Sequence, residues 1–209
     1  MRKNVVVAAL LALCGAVVFA RTSRASVEAE TKDARSVHAV GFSAPIWNQT
    51  WGDDVQWSAA GIDLMYHHLT VRPNRFSTFT DVAFGYSNFS LDGADGSAGG
   101  FNTRYALGLG GAPVVMRNLV VAVHGTFGAN LAYAADSDFW LFGLWATVGM
   151  NAEASYTFAK NLAAFAGVTM YTNVFGIGVW DQAAYTRNAY TISPGSFNVD
   201  FRLGVAFVY

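Results

Sequence analysis

Side chains that could do chemistry are few in this chain of 209 residues, of which only 13% are Asp, Glu, Lys or Arg. Several lie within stretches where apolar residues alternate with polar or small ones. The polar positions of these stretches hold Asp63, Asp81, Arg104, His124, Glu153, Asp200 and Arg202. Acids and bases gathered on one face form ion pairs when they are withdrawn from water. The same groups could also line a gated polar path for a small solute.

The alternation predicts the elements that position these residues. Phe197, Phe201 and Tyr209 belong to a run in which every second residue is apolar, with Asp200 and Arg202 between them. Successive side chains of a strand point to opposite faces, so such a strand has one apolar face and one polar or small face. The same period of two predicts eight strands, at about residues 36–44, 61–67, 81–87, 101–110, 119–131, 140–156, 162–175 and 197–209.

Composition indicates which way these faces point. The chain is 53% hydrophobic with a mean hydropathy of +0.29, yet beyond the first 20 residues no apolar run approaches the roughly 18 residues of a membrane helix. A soluble sandwich or lipocalin would turn the apolar faces inward, and a membrane barrel would turn them to lipid. The polar faces are rich in Gly, Ala and Ser and poor in Lys and Glu, which favours a narrow lumen. We therefore predict an all-β fold, an eight-stranded antiparallel up-and-down transmembrane β-barrel.

Aromatic residues and connections predict two different ends. We expect aromatic girdles at the two membrane interfaces. One would contain Trp47, Trp57, Phe89, Phe101, Tyr133, Phe139 and Phe197, and the other Tyr66, Phe76, Tyr156, Phe158 and Tyr209. The connections 69–75, 112–118 and 159–161 are basic, whereas 45–56, 90–100, 134–138 and 176–195 are mostly acidic. With eight strands the basic turns share the periplasmic side with both termini, and the acidic loops face outside.

The amino terminus has the layout of a secretory signal. Basic residues precede an apolar stretch at 5–20, so we expect residues 1–25 to be cleaved, with Ala20 as an alternative site. Residues 26–35 would be a polar tail, and residues 36–209 the barrel. Cys14 is the only cysteine, and Leu13 before it argues against lipid attachment. A mature charge of about −5 speaks against nucleic-acid binding.

The carboxyl end carries the most specific motif. Arg202, Gly204, Phe207 and the terminal Tyr209 match, position by position, the β-signal of bacterial outer-membrane proteins. With the signal peptide and the eight alternating segments, the chain resembles the small outer-membrane barrels typified by OmpX, OmpW and the OmpA transmembrane domain. The resemblance implies outer-membrane lipid as surroundings and the barrel assembly machinery as the partner that reads the last strand. We expect a monomer.

Two functions follow as hypotheses. The first is a porin-like protein that passes small solutes through a narrow gated lumen. The alternative is a surface adhesion or host-interaction protein with a non-conducting lumen, whose loop 176–195 offers Trp180, Tyr185, Arg187 and Tyr190 to a partner. These rings could instead fold back on the barrel mouth.

Catalysis, cofactors and metals are not expected. His124 and Thr126 share a lumenal face, but the outward histidine and serine of lipid-modifying barrels have no counterpart with a carboxylate here. His67 and His68 face opposite sides of a strand and cannot hold one metal ion. The loop 91–100 lacks EF-hand spacing, and no helix follows the glycines at 108–111 as a nucleotide loop would require.

Overall fold

The computed structural model describes residues 34–51, 55–91, 97–136, 139–182, 185–191 and 196–209, and side chains at 34–48, 57–90, 97–136, 140–179 and 196–209. No helix in this part of the chain is long and apolar enough to cross a membrane. The strands are β1 Arg35–Trp51, β2 Val55–Val71, β3 Phe76–Leu91, β4 Ser97–Val115, β5 Leu119–Ala135, β6 Phe139–Ala159, β7 Leu162–Gln182, β8 Tyr185–Thr191 and β9 Asn198–Val208.

Eight of these strands close into an antiparallel barrel. Each strand from β1 to β7 pairs with the next, and β9 completes the circle by pairing with both β7 and β1. The start of β1 meets the carboxyl end at this seam, where the Ser36 amide donates to the Tyr209 carbonyl at 3.1 Å. The predicted fold class is confirmed.

The ninth strand corrects the predicted loop 176–195. β7 continues to Gln182, and β8 pairs back on Gly176–Gln182 as a hairpin that stands beyond the start of β9. Beyond a bulge at Val174 and Phe175, which are both exposed, Ile177 and Val179 face outward and Gly176 and Gly178 inward, so period two resumes within the stretch that was predicted as a loop.

Side-chain facing follows residue parity within each regular stretch of the barrel strands, and the parity changes at the irregularities near Gly111–Val114 of β4 and Val174–Phe175 of β7. Leu64 and Leu203 are 65% and 66% exposed on the outer wall, whereas their neighbours Asp63 and Arg202 are 1% exposed inside. Because the outer wall carries the large apolar side chains, it suits contact with lipid rather than water. The inside of the barrel is a packed core.

Three aromatic residues do not lie where the sequence predicted them. Trp47, Trp57 and Phe89 are 5%, 4% and 0% exposed and point into the lumen, so their assignment to an interfacial girdle was wrong. Trp47 was placed in the connection 45–56 and Trp57 just before the strand at about 61–67, but β1 and β2 extend through them, and their odd numbers put them on the inward faces. The other predicted girdle residues with described side chains are exposed on the outer wall: Tyr66, Phe76, Phe101, Tyr133, Tyr156, Phe158, Phe197 and Tyr209.

The closing seam is built from small residues. Gly41 of β1 lies directly opposite Gly204 of β9, and a Cβ on either glycine would overlap the backbone of the other strand. On the inner side, Phe165 of β7 lies opposite Gly204, and its ring stacks on His67 of β2 with centroids 4.8 Å apart. Gly204 of the predicted β-signal therefore also has a packing role in the folded barrel.

Candidate functional site

The lumen contains a polar layer whose charged side chains come from five strands. Asp63 and His67 belong to β2, Asp81 to β3, Arg104 to β4, Glu153 to β6, and Asp200 and Arg202 to β9, and each is at most 4% exposed. They meet because each occupies an inward position of its strand. All seven residues predicted for this network, including His124 of β5, lie inside the barrel.

Arg104 connects two acids from strands on opposite sides of the lumen. Its guanidinium lies 3.1 Å from Asp81 Oδ2 and also contacts Asp200 Oδ2. Asp81 belongs to the neighbouring strand β3, and Asp200 belongs to β9, which does not pair with β4. The two contacts of Arg104 therefore extend across the barrel interior. Buried charges are tolerated when they are paired in this way.

Arg202 is the second cation of the layer. Its Nη1 donates to Asp81 Oδ2 at 3.0 Å, and its Nη2 lies 3.6 Å from Glu153 Oε2 and contacts Asn151. The guanidinium lies over the rings of Phe165 and Phe79, 5.6 and 5.9 Å from their centroids. Cation–π contact adds to the ionic contacts at a desolvated site such as this.

Glu153 contacts several other polar side chains of this layer. Its carboxylate is 3.1 Å from His67 Nε2, accepts from Asn151 Nδ2 at 2.8 Å, and is 3.9 Å from His124 Nδ1. Ser77, which the sequence did not single out, lies 2.8 Å from His124 Nε2.

The order serine, histidine, carboxylate resembles a nucleophilic triad in its connectivity. All three residues are at most 4% exposed, and the His124 ring lies edge-on to Phe79 with centroids 5.0 Å apart. A substrate therefore has no approach to Ser77, and we interpret the row as structural. Within the described part of the chain, no group of three or more His, Cys, Asp or Glu could hold a metal ion.

Asp63 is held by amide and hydroxyl groups. Asn102 Nδ2 donates to Asp63 Oδ1 at 2.7 Å, Ser43 donates at 3.5 Å, and Ser87 in turn donates to Asn102 at 2.8 Å. Within the described side chains, this carboxylate is thus hydrogen-bonded rather than ion-paired. Asn102 and Asn151 were not among the residues predicted for the network, although both occupy inward positions of their strands.

An aromatic cluster closes the lumen at the end away from Arg35 and Tyr209. The rings of Trp47, Phe89, Trp57 and Trp145 form a closed circuit in which successive centroids are 5.2 to 6.1 Å apart. All four side chains are at most 5% exposed. The Trp145 ring occupies the space left by the absent side chains of Gly143 and Gly176, since a Cβ on either would overlap it.

An apolar cluster closes the other end. It is formed by the buried side chains Val37, Leu69, Val71, Phe79, Val115, Val120 and Phe165 together with several alanines. The polar layer thus lies between two apolar layers of buried side chains.

The predicted assembly signal divides by facing. Arg202 points into the lumen, while Phe207 and Tyr209 are 45% and 70% exposed on the outer wall. The predicted loop residues Trp180, Tyr185, Arg187 and Tyr190 lie on β7 and β8, where Trp180 is opposite Arg187. Their side chains lie outside the described residues. So do the acidic positions Asp53, Asp54, Asp92, Asp95 and Asp138.

Comparison with known proteins agrees on the fold. No protein-family model matches the sequence, and no curated protein matches it. Among solved structures, the Neisserial surface protein NspA is similar with a TM-score of 0.54 and 13% identity, covering 84% of this chain and 99% of NspA.

Two further structures extend the likeness. The outer-membrane protein OprG from Pseudomonas aeruginosa gives a TM-score of 0.57 at 11% identity, over 85% of this chain and 97% of OprG. A major outer-membrane protein from Thermus thermophilus gives 0.54 at 14% identity, over 84% of this chain and 99% of that protein. At these identities the likeness concerns the fold, which is that of small bacterial outer-membrane barrels.

Proposed function

From this outer-membrane barrel fold, we propose that the protein is an integral barrel of the bacterial outer membrane that acts at the cell surface and has a closed lumen. The outer wall supports the location, because its exposed side chains are large and apolar and the charged side chains of the middle layer are inside. In this proposal residues 1–25 are a cleaved export signal. The last strand is read by the assembly machinery.

The single observation that carries the closed lumen is that buried apolar clusters lie on both sides of the buried polar layer. A porin-like path would require the Trp47, Trp57, Phe89 and Trp145 rings to separate at one end and the valine and phenylalanine cluster to separate at the other. Eight strands leave an interior just wide enough for side chains to fill or for one small ligand. The arrangement therefore favours the surface-interaction hypothesis over passage of solutes.

The length of the strands allows part of the protein to stand outside the membrane. A strand needs about 9–11 residues to cross a bilayer, but β6 and β7 have 21 each, and β8 extends the same wall as a hairpin. Short turns mark the periplasmic end of such barrels. Residues 72–75, 116–118 and 160–161 connect strands at the end that carries Arg35 and Tyr209, so the hairpin stands on the opposite, extracellular side.

The surface role is tested by shortening this hairpin. Cells expressing the full chain, and cells expressing a variant in which residues 180–187 are replaced by a short Asn-Gly turn, would be compared for retention on fibronectin, laminin and heparan sulfate. We expect retention of the full-chain cells on at least one coating and loss in the variant, with heat-modifiable gel mobility unchanged in both. Equal retention of a folded variant, or retention no higher than that of cells without the protein, would count against the proposed surface role.

A further inference from the structure

The apolar outer wall of this barrel is much taller on one side than on the other. On β3 the outward side chains Val82, Phe84 and Tyr86 are followed by Asn88 and Ser90, so the apolar stretch ends there. On β6 every outward position from Phe158 back to Trp140 is apolar, a stretch of 19 residues.

Lipid can cover only part of this taller wall. At about 3.3 Å per residue and a strand tilt of about 40°, 19 residues rise about 45 Å. The apolar band of an outer-membrane barrel is about 25 Å tall. The extracellular part of the β6 wall therefore stands above the acyl chains.

The side chains of this upper part form two rows in register across three strands. Tyr133, Phe142 and Val179 are cross-strand neighbours on β5, β6 and β7, and Leu131, Leu144 and Ile177 form the row below. Together with Trp140 we call these residues the upper wall patch. Tyr133, Phe142, Leu144 and Ile177 are 37 to 48% exposed.

The opposite wall has a different surface at the corresponding end. There the outward cross-strand row is Asn48, Ser58, Ser90 and Ser97 from β1 to β4, and the hydroxyls of Ser58 and Ser90 are hydrogen-bonded at 2.9 Å. The row of Tyr133 and Phe142 continues onto Phe101 of β4, which is 55% exposed, whereas the described row nearest this end of β1–β4 is polar. Contiguous exposed apolar surface of this size marks an interaction site.

We propose that the upper wall patch is the contact face for a second copy of this chain. Two barrels inserted into one membrane share their orientation, so their patches lie at the same height and face each other about a two-fold axis along the membrane normal. The patch has no charged residue, so a symmetric contact places no like charges together. At roughly 80–100 Å² per partly exposed large side chain, two patches bury about 1,200 Å², the lower end for specific interfaces. This replaces the expectation of a monomer.

Cysteine cross-linking in membranes tests the contact. In a chain with Cys14→Ser, a Phe142→Cys variant is compared with Ser90→Cys, which places the thiol near the same end of the opposite wall. With mild oxidation of intact membranes, we expect Phe142→Cys to give a product of twice the monomer mass on boiled non-reducing gels, at least tenfold above Ser90→Cys. Equal products from the two positions, or a product with a different protein, would overturn the proposal.

A second measurement tests the proposed dimer independently of cross-linking. Sedimentation of the wild type and of a Phe142→Asn and Leu144→Asn double variant in lipid nanodiscs would give their masses. We expect a wild-type dimer and a monomeric variant, both with folded gel mobility. A wild-type monomer would overturn the proposal while leaving the proposed surface role intact, because the hairpin test does not depend on the number of copies.

Discussion

Arg202 on the last strand donates to Asp81 on β3 at 3.0 Å, across the lumen from one side of the barrel to the other. β9 pairs through its backbone with β1 and β7 only. The side chains of Arg202 and Asp200 extend its contacts to β3, β4 and β6. A two-residue register slip of β9 would break these ion pairs, so the charges help to fix the register in which the barrel closes.

Removal of Arg202 should therefore be costly. In an Arg202→Met variant, Asp81 and Glu153 stay buried without this guanidinium, and breaking a buried ionic group costs about 3–5 kcal/mol. We expect a clearly lower urea midpoint for protein refolded into lipid vesicles, where no assembly machinery is present. Arg117→Gln, in an exposed turn, is the control. Equal midpoints for the two variants would mean that the lumenal pairs contribute little.

The terminal aromatic residue allows the assembly signal to be separated from stability. Tyr209 and Phe201 both face outward and are 70% and 52% exposed, so truncation of either to Ala removes lipid contact of a similar kind. If the machinery reads the chain end, Tyr209→Ala lowers outer-membrane insertion in cells several-fold more than Phe201→Ala, while the two refold equally well in vesicles. The measurement is the folded fraction in outer-membrane preparations. Similar losses in cells would contradict a terminal signal read by sequence.

The fit of Trp145 against Gly143 predicts a coupled pair of substitutions. A Cβ at Gly143 would overlap the outer atoms of the Trp145 ring, so Gly143→Ala should destabilise the barrel by about 1–3 kcal/mol through overpacking. Phe lacks the second ring of the indole. Combining Gly143→Ala with Trp145→Phe should therefore recover part of the lost stability, as a double-mutant cycle would show.

Gly111→Ala is the matched control, because the nearest atom to its added Cβ is 3.6 Å away. We expect it to leave the urea midpoint within experimental error of the wild type. A strictly additive cycle for Gly143 and Trp145 would show that the ring moves aside without cost.

Much of this architecture follows from local pattern. The pleat alone assigns Asp63, Asp81 and Arg202 to the inside and Leu64 and Leu203 to the outside, because facing follows parity within a regular stretch of strand. An even number of antiparallel barrel strands also places the start of the first and the end of the last at the same end of the barrel.

The contacts between side chains of different strands depend on features that the pattern of a single strand does not contain. Parity indicates that Arg202 is inside, but its contact with Asp81 depends on the stagger of every strand around the barrel, which sets what lies across the lumen. Trp47 and Trp57 were misplaced for a simpler reason. β1 and β2 extend beyond the membrane-spanning length, so rings counted as interfacial lie in the closed lumen.

The closed lumen is tested most directly by single-channel recording of the refolded protein in a planar bilayer, with insertion checked by heat-modifiable gel mobility. With the Trp47, Trp57, Phe89 and Trp145 rings closing one end and the apolar cluster closing the other, we predict no ionic conductance above that of the protein-free bilayer. Steady unitary currents from folded protein, altered by Arg104→Gln or Arg202→Gln, would contradict the account and restore the porin-like function.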